Sequence, residues 1–215
     1  MILQDLNKII QRNLLTSRLI KNNLLDNLII IENNHSDPTG KLQSVKLENV
    51  PTNNCWIFQH ENPEDEFKVS GKKVEKTILL LSDDKKELIV ILIEMKSGFK
   101  IKELFDCRKK VNFSLTHLSI FLAINNHAIS KYNDYKIKFK LVIYCNNENI
   151  DTSNILINED LCKNFLEYRN GNSKNFKIQI NSPSIGFNLI PAICIHEKDK
   201  EHIIMDFKDL LSKLS

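Results

Sequence analysis

Residues 74–98 read VEKTILLLSDDKKELIVILIEMKSG, and the fold turns on how this stretch is divided. Segments 74–81 and 88–95 are rich in Leu and β-branched residues. The charged SDDKKE between them has turn chemistry, so the stretch predicts an antiparallel hairpin. The second strand begins LIVILI, apolar on both faces, as expected of a central strand covered on both sides. Glu94 and Lys96 close that strand two residues apart, so their side chains emerge on one face. With the turn centred between Asp84 and Lys85, counting outward sets Glu75 directly opposite Glu94. Cross-strand neighbours have Cβ atoms about 4.5–5.5 Å apart. Two carboxylates at that separation repel unless a cation or a proton intervenes, which outlines a metal site. A slip of one residue would turn Glu75 onto the other face.

An acid two residues before a lysine is common in this chain. It recurs at Glu66 and Lys68, Asp83 and Lys85, Asp84 and Lys86, Asp134 and Lys136, and Asp206 and Lys208. Only Glu94 and Lys96 end a run as apolar as LIVILI, at the rim of a core where an unneeded carboxylate is costly to desolvate. The bland alternative is a strand-end ion pair of little energetic weight.

The period changes after Ser97-Gly98. Leu104, Cys107, Val111, Leu115, Leu118 and Leu122 recur at three and four residues, predicting an amphipathic helix of about twenty residues. A strand follows at 137–144 (IKFKLVIY), a helix at 159–168, short strands at 176–180 and 190–195, and a closing helix at 205–214. Upstream, 45–50 alternates and 55–58 is a short apolar run containing Trp56. Residues 2–31 read as one or two helices, and ENNHSDPTG at 32–40 as a loop. The order predicts an α/β (α+β) sandwich with a mixed sheet between helices. It forms one domain over 1–215, with an N-terminal helical segment (1–34), a core (45–145) and a C-terminal elaboration (146–215).

The formal net charge of +3 is too small to point to nucleic acid by itself, so a phosphate-binding surface must come from local clustering. Such a cluster, Lys100, Lys102, Arg108, Lys109 and Lys110, follows the Glu94–Lys96 strand, although a solvated helix face explains it equally well. Five cysteines, odd in number and never in a CxxC pair, suit a reducing cytoplasm better than a disulfide framework or a zinc ribbon. Cys107 and Cys145 sit in apolar stripes and read as core packing. The six histidines are scattered and read as structural or surface groups. MILQDLNKII lacks the basic start and apolar core of a signal peptide, and no run approaches membrane-spanning length. Walker, Rossmann, zinc and GxSxG signatures are absent.

An acid on the first strand of a hairpin, a Glu-x-Lys ending the second, a small residue next and a helix after it resemble the PD-(D/E)xK nuclease superfamily. The resemblance spans roughly residues 74–144, about a third of the chain, and its motif is short. It implies a restriction-endonuclease-like mixed sheet flanked by helices, and a Mg²⁺- or Mn²⁺-dependent nuclease that leaves a 5′-phosphate. Glu75 and Glu94 would be the side-chain metal ligands, with the Met95 carbonyl as a further ligand, and Lys96 the catalytic lysine. Glu75 stands where the family usually has Asp. Pro63-Glu64-Asp65 resembles the family's PD element superficially but lies in a loop before the hairpin. Glu32, Asp26 and Asp5 compete as an additional acid from an early helix. The resemblance implies a nucleic-acid partner, DNA before RNA, no membrane, and admits a homodimer that cuts two strands. A non-catalytic relative that binds nucleic acid or protein, or an unrelated interaction domain, are the rival readings.

Overall fold

The computed structural model describes residues 19–21, 27–31, 42–58, 60, 71–82, 84–99, 101–124, 136–148, 160–182 and 186–215. Among them, the central hairpin forms as its sequence dictates. Strand β5 (Lys76–Ser82) pairs antiparallel with β6 (Glu87–Phe99), Lys76 opposite Ile93 and Ser82 opposite Glu87. That register is the one counted outward from a turn at Asp84 and Lys85. Lys86 completes the turn at a left-handed φ of 47°.

The hairpin is the middle of a seven-stranded mixed sheet. Strand β1 (Leu19–Lys21) lies at one edge beside β4 (Cys55–Phe58), which pairs antiparallel with β5. On the other side, β7 (Lys136–Glu148) runs parallel to β6, and β9 (Gly186–His196) parallel to β7. Strand β8 (Phe176–Ser182) closes that edge antiparallel to β9. A parallel neighbour needs a long crossover, and helix α1 (Ile101–Ile124) lies in the one between β6 and β7. Helix α2 (Asp160–Arg169) precedes β8.

Alternation along β6 explains why its sequence is apolar throughout. Leu88, Val90 and Leu92 pack with Leu104, Val111 and Leu115 of α1 and Phe165 of α2. Ile91, Ile93 and Met95 face the opposite way, into a second core. There the cover is a three-stranded sheet, in the order β10 (His202–Asp206), β3 (Ser44–Glu48), β2 (Asn27–Ile31), together with helix α3 (Phe207–Lys213). The layers are thus helices, large sheet, and small sheet with a helix. The chain is mixed α+β, with two mixed sheets flanked by three helices among the described residues.

Several expectations need correction. Residues 27–31 are a strand, not helix: Leu28 and Ile30 are buried while Ile29 and Ile31 are exposed, a period of two. Leu19–Lys21 is likewise strand. The remainder of the predicted N-terminal helices lies outside the described residues, as do the 32–40 loop, Pro63-Glu64-Asp65, Glu32, Asp26 and Asp5. The closing helix begins at Phe207, because His202–Asp206 pairs parallel with β3 and Asp206 caps the helix by accepting from the Lys208 N–H. The second hairpin strand does not end at 95: β6 continues through Phe99. The second face of the large sheet is covered mainly by another sheet, where helices alone were expected.

Among the described residues, no strand pairs with the outer edge of β9 past Ala192, where β8 begins. The Tyr168 hydroxyl fills that edge, donating to the Cys194 carbonyl (3.0 Å) and accepting from the Cys194 N–H (3.1 Å). Cys107 and Cys145 are fully buried in the helix-side core, consistent with packing roles. Cys55 is buried between the two sheets, and burial pushes its thiol pKa up to about 12. Since the thiolate is the reactive form, Cys55 is expected to stay unmodified by iodoacetamide at pH 8 in the native protein and to react after unfolding in urea. Peptide mass spectrometry reads this directly, and rapid native labelling of Cys55 would contradict the burial.

Candidate active site

Glu94 and Lys96 occupy even positions of β6 and so point to the α1 side, with Leu88, Val90 and Leu92. Position 94 lies where the apolar run ends, and its side chain is completely buried. Lys96 sits one pleat further on, at the rim, with 17% of its side chain exposed. Its ammonium lies 3.2 Å from Glu94 Oε1 and 3.3 Å from Glu103 Oε2.

Glu75 stands just before β5. The ladder ends with Lys76 opposite Ile93, and the Glu75 N–H donates to the Ile93 carbonyl at 3.0 Å. Its carboxylate reaches the same face as Glu94, because both converge on Lys110 of α1. Lys110 Nζ is 2.6 Å from Glu94 Oε1 and 3.7 Å from Glu75 Oε1. The two carboxylates therefore meet at one lysine ammonium, but Glu75 lies outside the ladder and is not set directly opposite Glu94: its N–H bonds to Ile93 instead.

Helix α1 supplies the floor of the site. Glu103, Cys107 and Lys110 are four and three residues apart, one stripe of a helix laid across the end of β6. Three glutamates and two lysines meet here among the described residues. Burial raises the Glu94 pKa above the ordinary carboxylate range, against the pull of Lys110 and Lys96. Burial works against the Lys96 ammonium too, but the carboxylates of Glu94 and Glu103 beside it prevail and hold its pKa above the usual lysine value. Burial also raises the Cys107 pKa, with the Glu94 charge adding to it, so this thiol stays protonated and contributes no charge.

One atom remains unsatisfied. Both lysines approach Glu94 Oε1, and Glu94 Oε2 is buried without a hydrogen-bond partner. A buried carboxylate oxygen left this way is costly, so the geometry has room for one more donor or cation. The Met95 side chain is buried in the opposite core. Because carbonyls alternate along a strand and that of Ile93 faces β5, the Met95 carbonyl faces the same edge, beyond Lys76, the first residue of β5. Two carboxylates and a carbonyl are hard oxygen donors that suit Mg²⁺ or Mn²⁺. Among the described residues no group of three or more His, Cys, Asp or Glu side chains could hold a metal ion, so water would have to complete such a shell.

The described members of the basic cluster point in different directions. Lys110 is turned in to the acids, with only 12% of its side chain exposed. Arg108 lies over the Phe105 ring, 5.4 Å from its centroid, and Lys109 is exposed. Lys100 and the side chain of Lys102 lie outside what is described. Sequence reasoning missed Glu103 and the inward role of Lys110. Their seven-residue spacing was the signal, since it places both on one helix face. It also missed the meeting of His60 and His117, whose rings lie 5.7 Å apart against Phe58, with His60 Nε2 2.7 Å from Thr77 Oγ1.

No helix among the described residues is long and apolar enough to cross a membrane. No protein-family model matches the chain, and no curated protein or solved structure is significantly similar to it.

Proposed function

We propose that this chain is a divalent-metal-dependent nuclease of the PD-(D/E)xK type, hydrolysing phosphodiester bonds in DNA in preference to RNA. The observation that carries this reading is the convergence of Glu75, Glu94 and Lys96 on one face at the end of a buried hairpin, with Glu94 Oε2 unpartnered. Support also comes from the crossover helix α1 and the parallel strand β7, which give the mixed-sheet setting that the resemblance implies.

Glu75, Glu94 and the Met95 carbonyl would hold the cation. A bound Mg²⁺ or Mn²⁺ supplies Lewis acidity and a more acidic water. Lys96, anchored by Glu94 and Glu103, presents a fixed positive charge at the rim, where it orients the attacking water and offsets charge developing on the phosphate. Its raised pKa keeps it protonated across the working pH range. The setting that accompanies this reading is the cytoplasm, with a homodimer as the form suited to cutting two strands.

A second reading has its own support. Lys110 neutralises the paired acids internally, which would suit a relative that keeps the fold to bind nucleic acid or protein without cleaving. Cleavage assays on plasmid DNA, oligonucleotides and RNA, with Mg²⁺ or Mn²⁺ against EDTA, separate the two. The nuclease reading expects metal-dependent products ending in 5′-phosphate. It also expects Lys96→Ala to lower the rate by about 10²–10³-fold, the usual scale for losing one preorganised cation or donor. A wild type that cleaves none of these substrates, or a Lys96→Ala variant as fast as wild type, refutes it.

A further inference from the structure

We infer that Lys110 is a stand-in cation, its ammonium occupying the space between Glu75 and Glu94 and having to leave before a divalent ion can be held there. The inference rests on the metal-dependent reading above and assigns that site its own internal competitor.

The two lysines of the site are not equivalent. Lys96 is shared between Glu94 and Glu103, so it keeps a carboxylate partner if Glu94 turns to a metal. Among the described residues, Lys110 has ion-pair partners only in Glu75 and Glu94, the two carboxylates that would become ligands. It makes the shorter contact to Glu94, 2.6 Å against 3.2 Å for Lys96. Both contacts fall on Oε1, so the lysine neutralises Glu94 while leaving Oε2 unsatisfied. An ammonium and a divalent ion cannot share the gap, because two positive centres would face each other where little water screens them.

Departure is structurally simple. Lys110 hangs from the middle of α1 on a flexible four-carbon stem, and part of it already reaches solvent. A change of rotamer moves the ammonium outward with no change in the backbone. It then stands beside the reacting centre with its charge unpaired, where a phosphate of the nucleic acid is the natural new partner. Lys110 thereby links metal entry to substrate: the metal frees the lysine, and the substrate phosphate rewards its release. By linkage, nucleic acid raises metal affinity by the same factor.

The test is titration of metal-free protein with Mn²⁺ alone, without nucleic acid, by calorimetry. Lys110→Met removes the competing charge and keeps much of the stem, and is expected to bind Mn²⁺ at least about tenfold tighter than wild type. Lys110→Arg, which retains the charge, is expected to bind no tighter than wild type. A second measurement needs no variant. Reductive methylation of the wild type, read by peptide mass spectrometry, should label Lys110 faster in saturating Mn²⁺ than in EDTA, and Lys96 equally in both. Wild type that binds Mn²⁺, with Lys110→Met binding equally or more weakly, overturns the stand-in role while leaving the metal site intact. Unchanged Lys110 labelling in Mn²⁺ overturns it as well, even where Lys110→Met fails to fold. If neither wild type nor a folded Lys110→Met binds Mn²⁺ at millimolar concentration, the metal-dependent reading itself falls, and the stand-in role with it.

Discussion

Glu94→Gln is expected to lower metal-dependent cleavage by about a hundredfold or more, and yet to melt at a higher temperature than wild type at pH 7 in EDTA. The two effects share one cause. Burial raises the Glu94 pKa against the pull of Lys110 and Lys96, so the folded protein holds that proton more tightly than the unfolded chain does. A raised folded-state pKa gives a stabilisation that is full below the ordinary value of 4.5 and is lost as pH rises through the folded value. Gln mimics the protonated acid at every pH. Its advantage should therefore vanish near pH 4 and be complete above the folded pKa, when melts are compared across that range. In Mn²⁺ the order should reverse, because only wild type gains stability from the ligand. A wild type more stable than the variant at pH 7 in EDTA would mean that pairing with the lysines outweighs desolvation, and that the site is built for charge balance alone.

The second large effect belongs to the scaffold. Leu92→Ala is expected to cost about 2–5 kcal/mol, the range for emptying a buried leucine position. Leu92 is fully buried against α1, one pleat before Glu94. Against a total stability of about 5–15 kcal/mol for a typical domain, that loss would move the urea midpoint sharply. Leu189 on β9 is the control, since it is 50% exposed. Its replacement by Ala should stay within about 0.5 kcal/mol, as for most surface sites. Equal effects at both positions would deny that β6 is the centre of the core.

The hairpin was legible in the sequence because turn chemistry and strand alternation fix register together, and register fixes which carboxylates share a face. Counting brought Glu75 close to Glu94, but the ladder stops at Lys76 and Ile93, one pair short of setting the two acids directly opposite. The small sheet was not legible. Strand β10 pairs with β3 across more than 150 residues, Ile203 beside Val45, and nothing local in either segment names the other. Asn27–Ile31 was misread because a short apolar run carries too little period to tell strand from helix. Only the burial of Leu28 and Ile30 against the exposure of Ile29 and Ile31 decides it. Lys110 was read with the surface lysines because its nearest sequence neighbours are basic. Its true companions, Glu94 and Glu75, are brought to it by the way α1 crosses back over the sheet.

Tyr168 bears on how the molecule behaves in a crowded solution. An open strand edge is a template on which another chain can add itself, hydrogen bond by hydrogen bond. At Cys194 one phenol satisfies both the donor and the acceptor that an incoming strand would need. Removing the hydroxyl alone, as in Tyr168→Phe, would leave the packing of the ring in place while opening the end of β9 to recruitment. The consequence would appear as a tendency to self-assemble on storage or mild heating, with no loss of the individual fold.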